Sequence, residues 1–410
     1  MATDFGAYSR LLRVPGSVPF VVAGVFSRYP RSTLSLGVIL LVSAGTASFA
    51  AAGIATAVLV SGMAVSAPFW STRMDRHGQR PVLVAALACL VASVSALLVL
   101  VAVGAPLPAW LVAALAMGLS TPDIAAAVRV RWSALVRGDD LATAFAVETV
   151  ADQMVFVTGP PLVTILAASL NPAAGIVVAL LVGVGGGAWL AAQNATEPPI
   201  VPRAHRRRHI LPPAGVVPVS IACIGLGAMF GSFDVSVVAW ADALDAAWLA
   251  GIALAITSVG VAVGSILVGA RVWRSGPQHR FIGFAAAGTV IAAALPVAAE
   301  RGWLLGLVPL FGLVVSPVMV SAITLAAARA PRDRVTESLA YPTAGMSVGV
   351  PIGGAVAGFA LDAQGPAAGL VITAVALAAA LVVAAAGDGF TWLRRRANAG
   401  AADLEGRSRT

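Results

Sequence analysis

Long apolar runs, each ended by a short polar or Gly/Pro-bearing interval, recur from residue 19 to residue 387. They fall near 19–45, 49–71, 81–103, 108–130, 141–168, 172–192, 215–240, 246–270, 280–299, 303–327, 337–361 and 367–387. A helix needs about 20 apolar residues to cross a bilayer. The pattern therefore predicts twelve spanning helices and an all-α membrane protein. The longest polar stretch, 193–214, follows the sixth run and divides the spans six and six. We expect an N-terminal six-helix half over 1–192, a basic linker over 193–214, a second six-helix half over 215–387 and a tail over 388–410.

Composition narrows the class. Hydrophobic residues make up 59% of the 410 and charged residues 11%, against roughly 25% charged in soluble domains. A chain this apolar could not cover an aqueous surface. That excludes a soluble enzyme, a disordered chain and a secreted disulfide scaffold. The two cysteines, Cys89 and Cys223, lie inside apolar runs and are too few for a disulfide framework. All 26 basic residues are arginine. They are spread between apolar runs, so they form no nucleic-acid patch and read as topology signals.

With Arg28 and Arg31 counted at the N-terminal end, 25 of the 26 arginines fall on one side of the predicted bundle, and Arg301 alone on the other. The positive-inside rule then puts both termini in the cytoplasm, with the chain in the cytoplasmic membrane. The halves also echo each other. Arg73, Arg76 and Gly78 after span 2 match Arg271, Arg274 and Gly276 after span 8, all offset by 198. Two similar halves joined by a linker suggest parallel repeats.

The loop Asp75-Arg76-His77-Gly78-Gln79-Arg80-Pro81 resembles the signature loop of the major facilitator superfamily, Gly-x-Leu-Ala-Asp-Arg-x-Gly-Arg-Arg. Asp75, Arg76, Gly78 and Arg80 match it, whereas Ser71 stands at the first Gly and Gln79 replaces a basic residue. A tight turn there needs Gly78 for positive φ. The resemblance implies a latch, with Asp75 pairing to Arg76, Arg80 or a neighbouring helix in one state only; topology marking and a plain turn are the alternative. Gly159-Pro160 keeps part of the span-5 motif of drug/proton antiporters in that superfamily. Gly349, Pro351 and Gly353 in span 11 resemble the same motif, and these five residues read either as tight packing or as a rocking hinge. The family's span-4 arginine has no counterpart in Leu115-Ala116-Met117-Gly118.

Four acids fall inside the spans: Asp123, Glu148, Asp152 and Asp234. A charge at mid-bilayer costs roughly 2.5–3.5 kcal/mol on insertion scales, so such acids are neutralised, paired or open to water. Glu148 and Asp152 are four apart and share a helix face. Gln153 is turned away from them by about 100°. Asp152 lies about 16 Å from the start of its span, near the middle. Asp152 and Glu148 are the candidate proton carriers, with a structural pair to an arginine as the bland alternative. Arg28 must lie below the membrane surface, because 41 residues between Arg31 and Arg73 leave no room for two spans and a turn. It can pair with Asp123, Glu148 or Asp152, snorkel to the interface, or hold a substrate carboxylate. Asp234, Asp123, Gln153 and Tyr341 are further cavity candidates.

No catalytic constellation, metal-ligand spacing or P-loop is present in the sequence. We expect neither enzyme activity, a cofactor nor a metal. The reading is a secondary transporter working by alternating access, with proton-coupled export of a small, partly apolar organic compound. Wholly apolar spans with no mid-span Asn argue against a sugar site. The alternative is uptake of an organic anion clamped by Arg28. A third reading, a non-transporting sensor, would call for a cytoplasmic domain larger than 193–214 or 388–410. The expected partners are the small-molecule substrate, protons and bilayer lipid, with no nucleic acid, and the chain is expected to act as a monomer.

Overall fold

The computed structural model describes residues 11, 13–136, 139–199, 213–269, 275–330 and 335–407. Most of the linker, together with Arg271 and Arg274, lies outside the described residues. The elements are helices throughout, in the order α1 (Ser17–Ser27), α2 (Tyr29–Thr46), α3 (Phe49–His77), α4 (Gln79–Ala102), α5 (Leu107–Leu119), α6 (Ile124–Leu135), α7 (Asp139–Ser169) and α8 (Ala174–Ala192). A one-turn 3-10 helix over Asn194–Thr196 precedes α9 (Val217–Asp242), α10 (Trp248–Gly269), α11 (Pro277–Glu300), α12 (Leu304–Arg329), α13 (Val335–Gln364) and α14 (Pro366–Arg407).

Among the described residues, eleven stretches are long and apolar enough to cross a membrane. Their outer faces are apolar too: Val84, Val91 and Val99 on α4, and Val112 and Leu115 on α5, are all exposed. Helices apolar on every side need lipid around them. This is a multi-pass membrane protein.

The expected first span, 19–45, is not one helix. It breaks at Arg28, between α1 and α2, with Pro30 in the first turn of α2. Proline has no N–H to give and crowds the carbonyl four residues back, so the ladder cannot run through. Span 4 breaks as well, between α5 and α6, where Asp123 accepts the N–H of Ala126 at 3.2 Å and so caps α6. The last helix runs on to Arg407, well past the expected end at 387.

Helices α1–α8 pack among themselves, as do α9–α14, and the pairings correspond. In the first group α1 lies on α8, α3 on α5 and α4 on both α5 and α8. In the second, α9 lies on α14, α10 on α12 and α11 on both α12 and α14. Small residues make the closest seam. Gly345 and Gly349 on α13 stand against Ser220 and Ile224 of α9, and a Cβ on Gly349 would lie 2.8 Å from the Ala228 nitrogen. Gly353 stands against Ala228 in the same row. Pro351 is buried on α13 beside this seam.

The two groups meet along α3–α13 and α7–α10. These contacts gather at the end of the bundle where few arginines lie. There Gly53 meets Gly354, Gly358 meets Phe49 and Ala50, and Gly251 meets Pro161 and Thr164. A polar contact closes the same end. The Asp362 carboxylate accepts Ser48 Oγ at 2.6 Å and the backbone N–H groups of Phe49 and Ala50 at 2.7 and 3.0 Å. Asp362 on α13 thereby caps the N-terminus of α3 across the groups, and Ser48 Oγ accepts from Ala51 in turn.

Candidate functional site

The break at Arg28 turns a guanidinium into the first helix group, where it is 3% exposed. Two acids on one face of α7 meet it. Its Nη2 donates to Glu148 Oε2, and its Nη1 lies 3.3 Å from Asp152 Oδ1. The second Glu148 oxygen accepts from Trp132 Nε1 at 2.9 Å, so both oxygens of this fully buried carboxylate are occupied. Trp132 is set by an edge-to-face contact with Phe20, ring centroids 4.8 Å apart. Asp152 differs. Its side chain is 27% exposed, and its other oxygen accepts from Arg129 Nη2 at 3.2 Å. Asp123 faces Arg31 at 3.7 Å. Gln153, half-buried on α7, takes no part in these contacts.

One to two turns further along α2 and α7 the helices open onto a cavity of about 150 Å³ between the two groups. Phe156 and Pro160 of α7 and Ser32 and Ser35 of α2 line it from one side. From the other side come Phe230, Phe233 and Asp234 of α9, Thr257 and Ser258 of α10, and Phe311 of α12. Asp234, half-buried, is the acidic residue on this lining. Phe233 and Phe311, both on the lining, pack ring to ring with centroids 5.0 Å apart. Gly159, one residue before Pro160, lets α7 approach Ser32 and Thr33 of α2. Tyr341 lies on α13 against the main apolar core and does not line the cavity.

The loop residues sit at the arginine-rich end. Gly78 has φ +86°, which ends α3 and starts α4 within one residue. Asp75 is half-buried and Arg76 exposed, while the Arg80 N–H donates to Glu197 Oε1 at 3.0 Å.

Sequence reasoning missed the residue that ties this end together. Arg131, read as a loop arginine, is fully buried. It donates to Gln79 Oε1 (2.8 Å), Thr196 Oγ1 (2.9 Å), Leu190 O (3.0 Å) and Gln193 O (3.1 Å). Gln79 in turn donates to Ala127 O at 3.0 Å. The second group repeats the device. Arg329 Nη2 donates to Gln278 Oε1 at 2.8 Å, and Gln278 donates to Ala384 O at 2.7 Å. The signal was in the sequence: Gln79 and Gln278 are offset by 199 and Arg131 and Arg329 by 198, extending the repeat already seen at Gly78 and Gly276.

The family model described as Major Facilitator Superfamily matches residues 20–341. The chain belongs to the major facilitator superfamily. Its fold is that of solved superfamily-like transporters, across nearly their whole length. A structure titled as a bacterial metal transporter is 14% identical, with TM-score 0.64, covering 93% of this chain and 99% of the other. A bacterial homologue of the iron transporter ferroportin, in an inward-facing state, is also 14% identical, with TM-score 0.70 and coverage of 92% and 99%. The nucleoside transporter NupG is 11% identical, with TM-score 0.69 and coverage of 91% and 98%. No curated protein matches the chain. This superfamily member is a transporter and not an enzyme.

Proposed function

We propose that this transporter exports a small, partly apolar organic compound in exchange for protons, with the arginine-rich end in the cytoplasm. The observation that carries the reading is the unequal treatment of two acids around one buried arginine. Glu148 spends both oxygens on Arg28 and Trp132 and is closed off from water. It acts as a fixed anchor. Asp152 is shared between Arg28 and Arg129 and partly exposed, so a proton can reach it. Protonation there loosens two arginines at once, directly beneath the cavity. A proton and a cargo that favour opposite states through such a group are coupled by that difference alone.

Arg28 already holds two carboxylates of its own chain, which weighs against its serving as the clamp for an organic anion. Asp234 gives the cavity a carboxyl group with no basic residue beside it on the lining, which also favours the export reading over anion uptake. The metal and nucleoside cargoes of those neighbours belong to those proteins, at identities where only the fold is shared. The test is proton-linked flux in vesicles with Asp152→Asn. Unchanged flux would remove Asp152 as the carrier.

A further inference from the structure

The chemistry of the cavity lining is one-sided, and it specifies the charge of what binds there. Asp234 is the acid on the wall, and among the described residues no arginine or histidine joins it. Three hydroxyls on the same lining have their protons committed. Ser32 Oγ donates to Tyr29 O at 3.1 Å, Thr257 Oγ1 to Ala253 O at 2.7 Å, and Ser258 Oγ to Leu254 O at 2.9 Å. Each hydroxyl therefore has acceptor lone pairs left over. The rest of the wall is largely apolar and includes four aromatic rings, Phe156, Phe230, Phe233 and Phe311. Acceptors, one carboxylate and aromatic faces together suit a cation that carries N–H donors on an apolar body. They do not suit a carboxylate or phosphate, which would meet only like charge and lone pairs.

Size and ligand number narrow the class further. A volume of about 150 Å³ is that of an engineered apolar cavity that takes up benzene. A divalent metal asks for several oxygen, nitrogen or sulfur ligands around it. Here a single carboxylate faces weakly basic hydroxyls, and no group of three His, Cys, Asp or Glu side chains gathers among the described residues. We infer that the cavity is a binding site for a compact organic monocation, a primary or secondary ammonium on a body of about one aromatic ring. Its ammonium sits on Asp234 within reach of Ser258 or Thr257, and its ring lies among the phenylalanines. This deepens the export reading by naming the cargo class, and it rests on that reading only for direction.

The test is binding to the purified full-length chain in detergent, where no proton gradient exists. Benzylammonium, benzyl alcohol, benzoate and Mn²⁺ serve as probes by calorimetry. Benzylammonium should bind at least tenfold more tightly than benzyl alcohol, with no heat from benzoate or Mn²⁺. Asp234→Asn should lose that preference for the cation, and Asp234→Glu should recover part of it. Melting curves show that each variant is folded, so a lost signal reports the site. Equal binding of alcohol and ammonium, or an Asp234→Asn variant that binds benzylammonium as the parent does, would overturn the assignment. So would a Mn²⁺ titration that displaces benzylammonium in the parent but not in Asp234→Asn. A silent proton assay beside positive binding would remove proton coupling while leaving the monocation site standing. The two claims therefore fail separately.

Discussion

The cap that Asp362 places on α3 predicts a shift in the balance between open and closed states. Three hydrogen bonds at 2.6–3.0 Å join α13 to the N-terminus of α3 at the arginine-poor end, which is closed in this structure. Opening that end pulls α13 away from α3 and breaks all three. Replacing an N-cap acceptor by alanine costs about 0.5–2 kcal/mol. Asp362 is exposed, so water replaces part of what is lost, and we take about 1–2 kcal/mol for Asp362→Ala. That difference favours the state open at this end by roughly 5- to 30-fold. The assay needs one reporter thiol. Cys89→Ser and Cys223→Ala remove the native cysteines, and Ser35→Cys puts a thiol on the cavity wall. Labelling by a membrane-impermeant maleimide in intact cells then follows the outward-open population, provided that state is the minor one. The rate should rise 5- to 30-fold in Asp362→Ala and less in Asp362→Asn, which keeps one acceptor. A rate within twofold of the parent, or a slower one, would refute the role given to the Asp362 cap.

Two further substitutions test the buried charges. Arg131→Met removes four hydrogen bonds from buried acceptors at the arginine-rich end, so the melting temperature in detergent should fall by the equivalent of about 3 kcal/mol or more. Arg131→Lys should recover less than half of that, because one ammonium cannot match the guanidinium fork. Glu148→Gln takes the charge off one of the two carboxylates on Arg28, with Asp152 still 3.3 Å away, and should destabilise by less than the roughly 3–5 kcal/mol of a fully broken buried pair. The double variant Arg28→Met with Glu148→Met should melt above Glu148→Gln alone, since an apolar pair replaces a broken ionic one; a lower melting point would contradict that account.

The membrane class and the superfamily were legible because both rest on features that repeat along the chain. Spanning runs need only length and apolarity, and the loop around Gly78 needs only a short motif. The breaks at Arg28 and before Asp123 were harder to read. Hydropathy averages over a window, whereas a break follows from one proline and from where a polar side chain finds its partner. Arg131 and Arg129 are two apart in an arginine-rich stretch, and nothing local says which one is buried. Their difference is tertiary: Arg131 faces Gln79 and the end of α8, while Arg129 faces Asp152. Nothing local marks Asp362 as a cap, since its partner, the start of α3, is 312 residues or more away in sequence. The orientation of Asp234 toward the cavity, and not toward lipid, is likewise set by how α9 packs on α13 and α14.

Proton coupling through Asp152 is the central claim, and proton movement in inverted membrane vesicles tests it most directly. A pH-sensitive dye reports a preset gradient while cationic, neutral and anionic compounds of one-ring size are added in turn. The account predicts that the cationic compounds dissipate the gradient in the parent, and that Asp152→Asn abolishes this response. Dissipation that persists undiminished in Asp152→Asn would contradict it.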